Sequence, residues 1–427
     1  MNRVRPDLRH NSDARYSRRT ASSMLLGAAG LLLLPQRTAF AGSDTSPLKP
    51  FRVNIPQATV DGIIKRVREA RWPDRLDTDG WAYGANWDYM RSLAKYWVET
   101  FDWRKAEDSL NRYPQFLAHV GDFDIHCYYV KGRGPKPMPL ILTHGWPGSV
   151  CEFLEAIGPL SDPASFGGSA ADAFDVIVPS LPGYGFSAKP PGKPVGPATT
   201  AAVWNTLMTQ VLGYASYGAQ GGDLGYRVTT QLGRAYPGSL IGIHLNDFAE
   251  WLPFPEESQQ TAEERTWLRE ADAEWFREGG YAREHQTRPE TVAFALTGNP
   301  LGAAAWLVEK LKIWSDSPDR REPVFTMDQV LTDVMIYLVT DSISSSIWFY
   351  RGLDEDPISK GRVSVPTGVA YLPHEMLSFK PPRSVVERNF NLVRFTQLSK
   401  GGHFAFWEQP AAMIDDVRQF FRPLRRQ

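Results

Sequence analysis

Four short stretches of the chain place reactive side chains in turns rich in small residues. In "AQGGDLGY" (219–226), glycines flank Asp223 in the small-x-X-x-small outline of a strand-to-helix nucleophile elbow. The apex of that turn usually carries serine, as G-x-S-x-G; here it is a carboxylate. A serine hydroxyl must lose its proton before it attacks, whereas a carboxylic acid is already ionised at neutral pH. "HGWPGS" (144–149) is a Gly/Pro turn suited to presenting backbone N–H groups to a developing oxyanion. Pro147 has no N–H to give, so the donor expected there is Trp146, paired with Leu224, the residue after Asp223. "SKGGHFAFW" sets His403 after two glycines, and "TGVAYLPHEM" sets Glu375 ahead of it. His403 is the candidate base. Glu375 would hold the imidazole tautomer and stabilise the imidazolium. Asp247, in "HLNDF", competes for that role, with Glu375 preferred.

These residues need elements to hold them. From Pro50 to about Gly134 the apolar spacing is mostly helical, as in "TVDGIIKRVREARW" and "WDYMRSLAKYWVETF", and "FDIHCYYV" then alternates like a strand. "PLILT", "FDVIVP", "YASYGAQ" and "LIGIHLND" read as strands separated by helices. That alternation predicts a mostly parallel sheet with both faces covered. From about Glu250 to Gly352 only helical periodicity is found, so a helical lid is expected inside an α/β core, and "VSVPTGVAYL" and "VRFTQLSKGGHF" resume the sheet. Each candidate motif follows a predicted strand, where ligands bind in open α/β sheets. Nucleophile, acid and histidine also run in the chain order of the α/β-hydrolase fold. The expected organisation is an export signal (1–41), an N-terminal domain (42–135), the first part of the core (136–249), the lid (250–355) and the second part of the core (356–427).

The signal is expected from Arg18-Arg19 ahead of an apolar run that ends near Leu34, followed by Ala39-Phe40-Ala41 as a cleavage site. The run is short for a membrane span and is interrupted by Gly27 and Gly30. Twin-arginine export to the periplasm, with no stable membrane anchor after cleavage, follows from this reading. Lys and Arg number 47 against 48 Asp and Glu, so no charge excess favours nucleic acid or an anionic surface. Cys127 and Cys151 offer neither metal-ligand spacing nor a disulfide framework, and two buried thiols are expected.

In combination these motifs resemble the epoxide hydrolases of the microsomal type. "HGWPGS", "GGDLG", "VPTGVAYLPHE" and "GGHFAFWEQP" stand where that family carries its oxyanion turn, nucleophile, acid and base, and the segment from "FRVNIPQATVDGIIKRVREARWPD" to "NRYPQF" resembles its N-terminal domain. "GGYAREHQTRPETVAFALTGNPLGAAAWLVEK" and "SSSIWFYRG" resemble the lid segments with its two ring-opening tyrosines, which implies Tyr281 and Tyr350. One departure is Leu224, where tryptophan is expected in much of that branch; the backbone donor survives the change, but the pocket wall differs. The resemblance implies that Asp223 forms an ester with an epoxide carbon while the tyrosines protonate the leaving oxygen. Water activated by His403 then releases a vicinal diol, with no metal or organic cofactor. A small apolar epoxide and water are the implied reactants.

Two other readings follow from the same residues. A dehalogenase of the same fold shares the aspartate nucleophile but needs donors for a halide, commonly including a tryptophan after the nucleophile, which Leu224 cannot replace. A non-catalytic ligand-binding protein of this fold would be expected to have lost its nucleophile, base or acid, and all three are present.

Overall fold

The computed structural model describes residues 47–76, 80–248, 256–317 and 323–426. The expected export signal lies outside them. A nine-stranded sheet organises the described residues, built from β1 (Leu48–Phe51), β2 (Gln115–Val120), β3 (Phe123–Val130), β4 (Met138–Thr143), β5 (Phe174–Pro179), β6 (Tyr217–Gly221), β7 (Leu240–Leu245), β8 (Val363–Tyr371) and β9 (Phe390–Gln397). Its order is β1-β2-β3-β5-β4-β6-β7-β8-β9. The first four strands in that order pair antiparallel, and from β5 to β9 every pair is parallel. β5 is buried along its whole length and β4 nearly so, as strands covered on both faces must be.

The N-terminal segment is less purely helical than its periodicity suggests. It contributes α1 (Gln57–Arg68), α2 (Trp87–Glu99) and α3 (Trp103–Leu110), but also β1 and β2, which extend the core sheet through β3. The missed strand β2 turns tightly into β3: Val120 pairs with Phe123, and Gly121 takes φ +59°. A Gly-Asp pair between apolar runs is a two-residue hairpin signal, and "HVGDFD" carries it.

Three helices complete the first part of the core: α4 (Leu154–Ser161), α5 (Pro197–Thr206) and α6 (Leu224–Ala235) follow β4, β5 and β6. Between β7 and β8 come only helices: α7 (Ala262–Glu278), α8 (Gly280–Thr287), α9 (Pro289–Leu296), α10 (Pro300–Ile313), α11 (Met327–Val339) and α12 (Ile343–Glu355). Capping boxes Thr261/Glu264 and Thr326/Gln329 start α7 and α11, fixing where two of these helices begin. After β8 and β9 come α13 (Arg383–Asn389), α14 (Ala405–Glu408) and α15 (Pro410–Phe421). Cys127 and Cys151 are free and buried. Among the described residues no single helix is long and apolar enough to cross a membrane.

The sheet reverses direction of growth at β4. β5 lies on one side of it and β6 on the other, so β4 and β6 flank the topological switch point, where open α/β sheets bind ligands. Register makes the two following loops neighbours, because Thr143, the last residue of β4, pairs with Gly221, the last of β6.

Candidate active site

Asp223 occupies the turn between β6 and α6 with φ +49°, a left-handed conformation rare for a residue with a side chain. Two contacts hold it. Its backbone N–H donates to Asp247 Oδ2 at 2.6 Å, and its carboxylate Oδ1 accepts from the Trp146 N–H at 2.8 Å. The close approach of the two loops requires glycine. A Cβ on Gly145 would lie 2.1 Å from Asp223 Oδ1, and one on Gly225 would lie 2.0 Å from the Thr143 carbonyl oxygen. The "HGWPG" and "GGDLG" patterns are therefore two halves of one packing requirement.

The Trp146 donor is itself positioned by His144. Leu181 N–H donates to His144 Nε2 at 3.1 Å, so the ring proton is on Nδ1, which donates to the Gly145 carbonyl at 2.9 Å. Burial pushes the His144 pKa down to about 4 and keeps the ring neutral in this tautomer. The second expected donor, Leu224, is the first residue of α6, so its N–H is one of the orphan donors of a helix start.

His403 follows β9 and reaches the other oxygen of the nucleophile, Nε2 to Asp223 Oδ2 at 3.1 Å. Its Nδ1 faces both Glu375 oxygens at 3.0 Å. Glu375 follows β8 and is pinned in turn by the Met376 N–H on Oε1 at 2.8 Å. Burial would lower the His403 pKa, but Glu375 and Asp223 outweigh it and hold the pKa well above the ordinary range. The imidazolium is favoured in the resting enzyme. The base loop is gripped at its backbone: His403 N–H donates to the Trp314 carbonyl at 2.9 Å, and Glu408 accepts from Gly402 and Phe404 N–H on either side.

Glu375 thus stands where the acid was expected, and Asp247 serves the elbow instead. Burial, and next the Glu375 carboxylate, push the Asp247 carboxyl well up, towards the neutral form. Asp247→Asn is therefore expected to preserve the acceptor on the Asp223 N–H and melt near the wild type, while Asp247→Ala destabilises the fold by about 1–3 kcal/mol. Denaturant titration of both variants measures this, and equal losses would contradict it. Asp247, Glu375 and His403 also bring their ligand atoms within 4.8 Å of one another. The Glu375 oxygens and His403 Nδ1 already satisfy each other, and Asp247 Oδ2 is taken by the Asp223 N–H. Asp247 Oδ1 is buried and finds no hydrogen-bond partner among the described residues.

The tyrosines implied by the lid segments come together here. Tyr281 on α8 and Tyr350 on α12 have ring centroids 5.8 Å apart. Both pack on the Trp146 indole, Tyr281 stacked at 5.1 Å and Tyr350 edge-on at 5.9 Å. One residue therefore offers its N–H to the nucleophile and its ring to both tyrosines. Burial first, together with the Asp223 charge, raises both phenol pKa values and keeps the hydroxyls protonated. The Tyr350 hydroxyl is buried and, among the described residues, acts on that of Tyr281. His285 closes this aromatic cage, 4.8 Å from the rings of Trp146 and Tyr350. It accepts from Trp306 Nε1–H at 3.0 Å, and burial lowers its pKa to about 3.

α11 ties the helical block to the oxyanion turn. Ser149 Oγ–H donates to Asp333 at 2.7 Å, and Tyr337 O–H donates to the Gly148 carbonyl at 2.7 Å. Burial pushes the Asp333 pKa up to about 7. Glu152 packs its carboxyl over Gly148 and lines a cavity with Trp146, Phe153, Asp223 and His403. Sequence reading singled out neither carboxyl. Each follows or faces a motif that was recognised, but a lone acid in a helical stretch carries no signal of its own.

The fold and this site define an α/β-hydrolase with a carboxylate, Asp223, at the elbow between β6 and α6. Residues 48–153 match the epoxide hydrolase N terminus family and residues 138–292 the alpha/beta hydrolase fold family. A putative epoxide hydrolase of Stigmatella aurantiaca is 39% identical, the match covering 88% of this chain and 86% of that protein. Epoxide hydrolase 1 of Sus scrofa is 32% identical, with 91% of each covered. Among solved structures, the epoxide hydrolase of Aspergillus niger superimposes with TM-score 0.78 at 29% identity, over 88% of this chain and 96% of that one. The juvenile hormone epoxide hydrolase of Bombyx mori does so with TM-score 0.77 at 30% identity, over 89% and 95%. The chain belongs to the epoxide hydrolase family.

Proposed function

We propose that the protein opens a small apolar epoxide by back-side attack of Asp223 and hydrolyses the resulting ester to a vicinal diol. The observation that carries this reading is the double engagement of one carboxylate, Oδ1 on the Trp146 N–H and Oδ2 facing His403 Nε2. Asp223 attacks the carbon from the side opposite the ring oxygen, the C–O bond breaks, and a tyrosine proton passes to the ring oxygen. The Asp223 carbonyl of the ester then keeps Oδ1 beside the Trp146 N–H, with Leu224 N–H as the second donor. His403 takes a proton from water, Glu375 stabilises the imidazolium, and hydroxide adds to that carbonyl. Collapse breaks the bond to the alkyl oxygen, which takes the proton of the newly formed carboxyl group and leaves as the second hydroxyl of the diol, returning Asp223 as a carboxylate.

The proton count closes because the resting His403 is an imidazolium. Ring opening leaves a phenolate, and the His403 proton restores that tyrosine. The neutral imidazole then accepts the proton of the attacking water and ends the cycle charged again. Esterification also cancels the Asp223 charge, one of the two influences that raise the His403 pKa, so the ring turns into a base when a base is needed.

The aromatic wall of the cavity, with Trp146, Phe153, Phe404 and Phe406, supports an apolar substrate. Turnover of a panel of aliphatic, styrene-like and terpene epoxides tests this. Tyr281→Phe and Tyr350→Phe are each expected to slow ester formation about 10- to 100-fold, and the double variant about 1,000-fold or more. Rapid-quench kinetics reads these rates, and a double variant as fast as the wild type would contradict the role. Halide release from haloalkanes without epoxide turnover would instead favour a dehalogenase. We also propose the helical block of α7–α12 as the lid, and export through the Arg18-Arg19 signal to the periplasm. A double Arg18→Lys, Arg19→Lys variant is then expected to stay in the cytoplasm on cell fractionation, and an unchanged distribution would refute this route.

A further inference from the structure

Along α10, Trp306, Lys310 and Trp314 recur at four-residue spacing, which aligns them in one stripe up the helix face. Each touches the site. Trp306 donates to His285, the ring of Trp314 lies 5.1 Å from that of His403, and Lys310 Nζ lies over the Tyr281 ring, 4.8 Å from its centroid. Lys310 is 5% exposed, and its Nζ pairs with Glu309 at 2.7 Å and lies 5.8 Å from the Trp314 ring centroid. A buried lysine is rarely retained for packing alone, and the reaction described above assigns it no part. Among the described residues no such cation lies over Tyr350, whose ring meets Trp146, His285 and Tyr281 edge-on.

We infer that Lys310 is a positioning residue for proton delivery, its ammonium over the Tyr281 ring making Tyr281, rather than Tyr350, the tyrosine that gives its proton to the departing ring oxygen. This rests on the epoxide-opening reading above. A cation on the ring face interacts more strongly with a phenolate than with a phenol, and burial magnifies the difference. As the C–O bond breaks, the Tyr281 proton moves to the ring oxygen and the phenolate charge develops beneath Lys310. The imidazolium of His403 later restores that proton, as the cycle above requires. Tyr350, with no cation over its ring among the described residues, donates a hydrogen bond to the same oxygen and keeps its proton. The other charges around Tyr281 act in mixed directions: Asp223 and Glu309 oppose ionisation, while Arg227 and the Tyr350 hydroxyl favour it.

A double-mutant cycle on ester formation tests the inference. Lys310→Met, Lys310→Gln and Lys310→Arg are made in the wild type and in the Tyr281→Phe and Tyr350→Phe backgrounds, and ester formation and ester hydrolysis are timed separately by rapid quench. Lys310→Met is expected to slow ester formation about 10-fold, leave ester hydrolysis unchanged, and be rescued by Lys310→Arg. In Tyr350→Phe the effect persists; in Tyr281→Phe it vanishes, since no Tyr281 proton remains to be transferred. Equal effects in both tyrosine backgrounds, or a loss confined to hydrolysis, would overturn the assignment. If Lys310→Met does not fold, the Lys310→Gln and Lys310→Arg arms decide by the same comparison. A wild type that forms no ester with any epoxide would refute the epoxide-opening reading itself and so be distinguishable from failure of the cycle.

Discussion

Asp223→Ala is expected to lower epoxide turnover about 10,000-fold or more, the loss typical when a covalent nucleophile is removed. Neither Asp247 nor Glu375 can replace it. Asp247 is turned to the Asp223 backbone N–H and Glu375 to His403, so neither carboxylate is free to attack from the elbow. The fold is expected to survive, because the glycines that let β4, β6 and α6 meet are untouched. Alanine at φ +49° costs about 1 kcal/mol, a small loss beside that of activity. The variant also carries an electrostatic signature. Asp223 is one of the two groups that raise the His403 pKa, so the imidazole should titrate at lower pH in Asp223→Ala than in the wild type, as read by NMR of the ring protons. Retained turnover, or an unmoved His403 titration, would contradict this account.

His403→Gln is expected to uncouple the two half-reactions. Ester formation needs the carboxylate and the tyrosines and should proceed; ester hydrolysis needs the base and should slow about 10,000-fold. The protein should therefore gain the mass of one substrate molecule per chain and stop. Glu375→Gln should behave similarly, whereas Asp247→Asn should lose less than about 10-fold, because its carboxyl serves the elbow. Asp247→Asn protein that accumulated ester would transfer the acid's role to Asp247. In the wild type the pH dependence has a defined sign. Ester hydrolysis requires neutral imidazole, so its rate falls as pH drops through the ester-state pKa of His403. That pKa lies below the resting one, because esterification removes the Asp223 charge. Single-turnover hydrolysis rates against pH, set beside the NMR titration of the resting enzyme, give both values. An ester-state value equal to or above the resting one would contradict the cycle.

The polar centre of this site was legible because its chemistry is confined to strand ends. Asp223, Trp146, Glu375 and His403 each follow a predicted strand, and the turns of Asp223 and Trp146 carry glycines with a steric cause, visible at Gly145 and Gly225. Tyr281 and Tyr350 were legible only through family resemblance. Their helices show ordinary periodicity, and nothing local distinguishes a tyrosine that packs on Trp146 from one that packs on a core. The Asp247–Asp223 contact could not be separated from a triad contact by sequence, since both strand ends point to the same switch point and only the side-chain direction differs. The N-terminal strands β1 and β2 were hidden among helical signals, although "HVGDFD" carried the hairpin. Lys310 was the least visible of all. A lysine in "WLVEKLKIW" reads as solvated, and the burial of Lys310 over Tyr281 is decided by where α8 and α10 meet.

The most direct test is a single turnover in water enriched in heavy oxygen, with enzyme in excess over epoxide. In the covalent mechanism the first diol takes its second oxygen from Asp223, and the water oxygen enters the aspartate. The account predicts label in the peptide containing Asp223, seen by mass spectrometry after proteolysis, and unlabelled first-turnover diol. Labelled diol with an unlabelled Asp223 peptide would mean that water attacks the epoxide directly, and Asp223 would no longer be the nucleophile.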